Sequence, residues 1–144
     1  VGRSHRRPPE EAVPIEQWGR DHWSTLLYVE SVCVDHDGIP NRDRMRVDLE
    51  RHPFYGGRAH WIQDRKAKYP TRLKGGVEKH DHDDWDCVED MVEAGVVDWI
   101  GTGANPQFAL TEKGYKLAAA LRQHRAESGR KTDSFEVPEW ALDG

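Results

Sequence analysis

Residues 79–87, KHDHDDWDC, place two histidines, four aspartates and a cysteine in nine positions. Imidazole nitrogen and thiolate sulfur are preferred zinc donors, and clustered carboxylates can move protons, so metal ligation and acid–base catalysis both have to be weighed here. His80, His82 and Cys87 could combine with Cys33 and His36, whose C-x-x-H spacing is that of a zinc half-site. Strong zinc signatures, however, use paired C-x-x-C or H-x₃-H elements, and the chain has neither. Nucleophilic catalysis has less support, because Cys33 and His36 lack a third orienting group and no nucleophile elbow, phosphate-cradling glycine loop or H-E-x-x-H run occurs. The economical reading is electrostatic. Asp83 or Asp84 caps a helix, and the other acids lie against the positive end of its dipole, each contributing about 0.3–1 kcal/mol. No catalytic residue, metal or cofactor is therefore assigned, and the protein reads as non-enzymatic.

A second group of residues is cationic and aromatic. Residues 39–76 hold seven Arg and three Lys against three Asp and one Glu, a net +6, whereas residues 78–98 hold nine acids against Lys79, a net −8. Cations neutralise phosphates, and aromatic faces stack on unpaired bases for about 1–3 kcal/mol each. Interleaving the two suits single strands or RNA. The residues expected to contact nucleic acid are Arg51, Arg58, Trp61, Arg65, Lys66, Lys68, Tyr69, Arg72 and Lys74, joined near the C-terminal end by Arg122 and Arg125. The competing reading is internal: these cations pair with the adjacent acidic stretch.

The elements that must position these residues follow from hydrophobic spacing. Ile15, Trp18, His22, Leu26, Val29 and Cys33 recur every three or four positions, which is one face of a helix. Gly19 divides it into a lead-in and a main helix capped by Asp21, and Gly38 ends it. His22, on the apolar face, reads as a hydrogen-bonded core histidine. Asn41 caps a short second helix carrying Met45 and Leu49. Residues 52–79, broken repeatedly by glycine and proline, form an irregular basic insertion. Trp85, Val88 and Val92 begin a third helix that ends at Gly95. VVDWI and QFALT alternate in polarity around GTGANP and form a hairpin. Thr111 caps a fourth helix, with Leu110 and Tyr115 spaced as a hydrophobic staple and Leu117, Ala118 and Leu121 on the buried face.

This order, and above all the segment CVEDMVEAGVVDWIGTGANPQFALTEKGYKLAAALRQHR, resembles the C-terminal half of the winged-helix family, best over residues 84–125. Gly95, Val96-Val97 and Leu110-Thr111-Gly114-Leu117 match the family pattern of a helix closed by glycine, an aliphatic pair opening the wing, and an LT..G..L start to the closing helix. The resemblance implies a nucleic-acid-binding, regulatory or protein-docking module. Two departures stand out. Some thirty residues separate the second and third helices where a helix-turn-helix reader has a tight turn. The third helix also carries Asp84, Asp86, Glu89, Asp90 and Glu93 with no cation, so DNA, with about one negative charge per 1.7 Å, would repel it.

At 144 residues, with 36% hydrophobic and 33% charged residues and six Trp, the chain fits one domain. The expected class is mainly α with a small β-hairpin: a disordered segment over 1–14, a winged-helix-like domain over 15–125 and a mobile tail over 126–144. No apolar run reaches the roughly 18 residues a membrane helix needs, and the first residues lack a secretory apolar segment, which places the protein in the cytoplasm with two free thiols. A Cys33–Cys87 bridge would require export. The function reads as nucleic-acid binding through the insertion, DNA or RNA. A protein–protein adaptor using the acidic third helix and the Trp140 tail is the alternative, and a small zinc protein the second. A homodimer through the first and last helices stays open.

Overall fold

The computed structural model describes residues 12–40, 44, 70–80, 82–100, 107–129, 132 and 134–142. After a 3₁₀ turn at Ile15–Gln17 the elements are α1 (Arg20–Asp35), β1 (Thr71–Arg72), β2 (Glu78–Lys79), α2 (Asp84–Glu93), β3 (Val97–Trp99), β4 (Phe108–Leu110), α3 (Glu112–Glu127) and α4 (Glu139–Leu142). The fold is mainly helical with two separate antiparallel strand pairs, β1 with β2 and β3 with β4. The predicted second helix, Arg44 apart, lies outside the described residues, so the third and fourth predicted helices are α2 and α3. No helix among the described residues is long and apolar enough to cross a membrane.

The central element is α1, which packs against α2, α3 and β4. His22, Trp23, Thr25, Leu26, Val29 and Val32 are buried along it, the spacing of an amphipathic face. It starts two residues earlier than the sequence suggests, because Gly19 rather than Asp21 occupies the cap position and offers no side-chain cap. Asp21 turns sideways instead and accepts the Arg72 backbone N–H at 2.6 Å. A side chain at position 19 would run into the Arg72 and Leu73 backbone, so glycine permits this close approach. At the other end Gly38 (φ +80°) closes the helix through its N–H to the Val32 carbonyl (3.0 Å), and its own carbonyl accepts from Phe108 N–H (2.8 Å).

The start of α2 has a full capping box: Asp83 accepts from Asp86 N–H and Asp86 accepts from Asp83 N–H, both at 3.1 Å. Trp85, Cys87, Val88 and Met91 are completely buried, and Trp85 meets Trp99 edge to face at 5.2 Å. Gly95 (φ +76°) ends the helix as the sequence implies. The hairpin pairs Val97 with Leu110 and Trp99 with Phe108, again as expected from the alternation. Thr111 accepts the Gly114 N–H at 3.0 Å to cap α3, which buries Gly114, Leu117, Ala118 and Leu121; Tyr115 is exposed.

Three expectations change. The last nine residues of the predicted irregular insertion form the β1–β2 ribbon, turned by Gly75 and Gly76, both at positive φ. Val13 is buried, so the domain begins before residue 15. The predicted tail is anchored: Phe135 packs edge to face on Trp23 at 4.9 Å, and Ala141 of α4 is fully buried. Covering the Trp23 ring is favourable because aromatic residues bury large apolar areas, at about 25 cal/mol per Å².

Candidate functional site: a buried histidine, aspartate and cysteine cluster

The chemically dense stretch delivers His82 and Cys87 to the protein interior, where both are fully buried. The capped start of α2 fixes Cys87 one helical turn before Asp90, and α1 supplies His22 from its first turn. Asp90 is the hub. Its Oδ2 lies 2.7 Å from His22 Nε2 and 2.7 Å from His82 Nε2, while Oδ1 accepts the Val13 backbone N–H at 3.0 Å. The Thr71 hydroxyl donates to the His82 carbonyl at 2.9 Å, and the same Oγ1 is 2.9 Å from His82 Nδ1. Cys87 Sγ stands 3.9 Å from His82 Nδ1. Trp18 stacks on His22 (5.2 Å, 7° between planes) and donates its indole N–H to the Val13 carbonyl.

A carboxylate is buried at acceptable cost only when hydrogen-bonded and charge-balanced. Burial alone would push the Asp90 carboxyl up, but hydrogen bonds and charge from His22 and His82 outweigh it and hold it below its ordinary value. Asp90 accepts from both Nε2–H groups, so both rings carry a proton at Nε2. Because the Thr71 hydroxyl already donates to the His82 carbonyl, its Oγ1 accepts from His82 Nδ1. Among the described residues, His22 Nδ1 is buried with no hydrogen-bond partner. Burial drives the Cys87 thiol well above its ordinary range, and the charges of Asp90, Asp84, Asp86 and Asp21 add to this, so the sulfur is a poor nucleophile. With no exposed surface on His22, His82 or Cys87, the arrangement is suited to joining segments or enclosing an ion.

The other metal candidates do not join this cluster. Cys33 is half-buried and unpaired, its thiol donating to the Phe108 carbonyl at 3.5 Å, and burial pushes its pKa up. His36 is exposed at the end of α1, and His80 is exposed beyond β2. Sequence reasoning placed His22 in the core but missed its partner. The available signal was Asp90, a carboxylate on the same stripe of α2 as Cys87 and Met91; buried there, it requires a donor on the facing helix.

Of the residues expected to contact nucleic acid, Arg51, Arg58, Trp61, Arg65, Lys66, Lys68 and Tyr69 lie outside the described residues. Arg72 is 3.9 Å from Glu78, the internal pairing the competing reading foresees, and Lys74 pairs with Glu136 at 3.1 Å. Arg122 makes a two-pronged contact with Glu30, Nε to Oε1 and Nη2 to Oε2, both 3.1 Å. Arg125, whose Nε is buried without a hydrogen-bond partner among the described residues, borders a depression with Arg122, Ala126 and Gly129. The acids of α2 do not form an exposed anionic face: Asp86, Glu89 and Asp90 are buried, Asp84 is half-buried and Glu93 is exposed. Comparison with protein-family models, characterised proteins and solved structures returns no match.

Proposed function

We propose that the protein is a non-enzymatic nucleic-acid-binding module of winged-helix-like organisation, contacting phosphates and unpaired bases through its basic aromatic insertion. The observation that carries this reading is how the chain is held on either side of residues 39–70, which contain most of the insertion. On one side Gly38 is bonded to Val32 and Phe108; on the other Thr71 is bonded to His82 and the Arg72 N–H to Asp21 of α1. A cation-rich excursion of this length is thereby mounted on both ends of one helix, about 24 Å long at 1.5 Å per residue. The order α1, α2, β3–β4 and α3 supports the family-like organisation. Because α2 is largely buried in the core, contact through the insertion and through Arg122 and Arg125 is favoured over groove reading by that helix.

The ion pairs of Arg72, Lys74 and Arg122 do not stand in the way. Their cationic side chains are about half exposed (48%, 50% and 57%), and such pairs contribute about 0–1 kcal/mol, less than a phosphate contact can return. The test is charge reversal. Arg58, Arg65, Lys66 and Arg72 are replaced together by Glu, and binding to single- and double-stranded oligonucleotides is followed across salt concentrations. The reading expects affinity to collapse and the salt slope to fall by roughly 3, at about 0.7 per phosphate contact on a single strand. Unchanged affinity would exclude the insertion as the contact surface. A second reading, protein docking, rests on α4, where Trp140 (45%) and Leu142 (46%) are exposed beside the buried Ala141.

A further inference from the structure

We propose that His22, His82 and Cys87 constitute a binding site for a single zinc-like divalent ion, with Asp90 holding the two imidazoles from behind. Ligand atoms of the three side chains lie within 4.8 Å of one another, and all three are fully buried. Zinc favours this donor set, nitrogen at about 2.0–2.1 Å and sulfur at about 2.3 Å, which puts ligand atoms about 3.3–3.6 Å apart in a tetrahedral shell. The 3.9 Å between Cys87 Sγ and His82 Nδ1 is already close to that, and a pair at the 4.8 Å limit must close by about 1.2–1.5 Å.

Two further observations point the same way. The first is Asp90. A metal-bound histidine commonly donates its other ring N–H to a carboxylate, which fixes the tautomer and the ring orientation. Both rings here give Nε2–H to one Asp90 oxygen, which leaves Nδ1 as the nitrogen each ring can offer an ion; at His82 the ion takes the place of the Nδ1 proton and of its 2.9 Å contact with Thr71 Oγ1. The second is His22 Nδ1, a fully buried polar atom without a hydrogen-bond partner among the described residues, where an ion is one of the few physical explanations. Three protein ligands are one fewer than structural zinc sites use, so the expected affinity is below that of a complete four-residue set.

The test is metal analysis of the full chain purified without chelator, followed by titration of chelator-treated protein with Zn²⁺ or Co²⁺ alone. About one ion per chain is expected, with a higher melting temperature than the chelated protein and a thiolate-to-cobalt charge-transfer band in the Co²⁺ form. Cys87→Ser should lose the band, while Cys33→Ser and His80→Ala keep it. Should Cys87→Ser fail to fold, the wild-type and Cys33→Ser spectra still decide. Absence of stoichiometric Zn²⁺ or Co²⁺ binding by wild type, or a charge-transfer band that survives in Cys87→Ser, would overturn the proposal.

Discussion

Replacing Asp90 by alanine tests the buried cluster most severely. The substitution strands three donors that converge on one carboxylate: the Nε2–H of His22 and His82 at 2.7 Å and the Val13 N–H at 3.0 Å. Each unsatisfied buried donor costs about 1–3 kcal/mol. Because the three share one hub their losses do not add, and the expected destabilisation is roughly 3–5 kcal/mol, the range for removing one partner of a buried charge pair. Asp90→Asn preserves volume and one acceptor oxygen and should lose less, roughly 2 kcal/mol. Urea unfolding followed by circular dichroism, with chelator present so that no bound ion contributes, gives both values. The double variant His22→Ala/Asp90→Ala should be more stable than the sum of the single losses implies, by about 0.5–3 kcal/mol. A loss under about 1 kcal/mol for Asp90→Ala, or strict additivity in the cycle, would refute the hub.

Other outcomes follow from the packing. Gly38→Ala and Gly75→Ala both place alanine at a φ near +80°, which costs about 1–2 kcal/mol, but only at Gly38 does the new methyl strike backbone, that of Phe108; thermal unfolding should show the Gly38 variant losing at least twice as much. Phe135→Ala should cost about 3 kcal/mol by uncovering Trp23, whereas Trp140→Ala, half exposed, should stay within about 0.5 kcal/mol in the same denaturation assay. Glu30→Gln removes the partner of Arg122; stability should change by less than about 1 kcal/mol, and oligonucleotide affinity measured by anisotropy should rise if Arg122 belongs to the contact surface.

Local chemistry was the most legible part of the sequence. Asp83, Thr111, Gly38 and Gly95 act where their side chains or their lack of one dictate, because caps and left-handed turns depend on residues three or four positions away. The hairpin was readable for the same reason, since alternation in VVDWI and QFALT reports one buried face. What could not be read was long-range pairing. Asp21 resembles a helix cap in sequence, but its carboxylate is taken by an N–H fifty-one residues away. His22 and Asp90, sixty-eight positions apart, meet only because α1 lies across α2. The acidic run misled in another way. Net charge along a segment says nothing about which side chains face inward, and three of the acids of α2 are buried, with Asp90 held by the two histidines. The polar composition of 126–144 suggests a mobile tail, although a single aromatic, Phe135, docked on Trp23 is enough to fix its course.

The most direct test of the proposed function is the salt dependence of wild-type binding to a fluorescent single-stranded oligonucleotide. Seven cations lie between Arg51 and Lys74. At about 0.7 per neutralised phosphate, a footprint engaging most of them gives a slope of roughly −3 to −5 in log affinity against log salt concentration. A slope in that range that flattens on charge reversal of the insertion is the expected result. No binding at low salt, or binding indifferent to salt, would contradict the account.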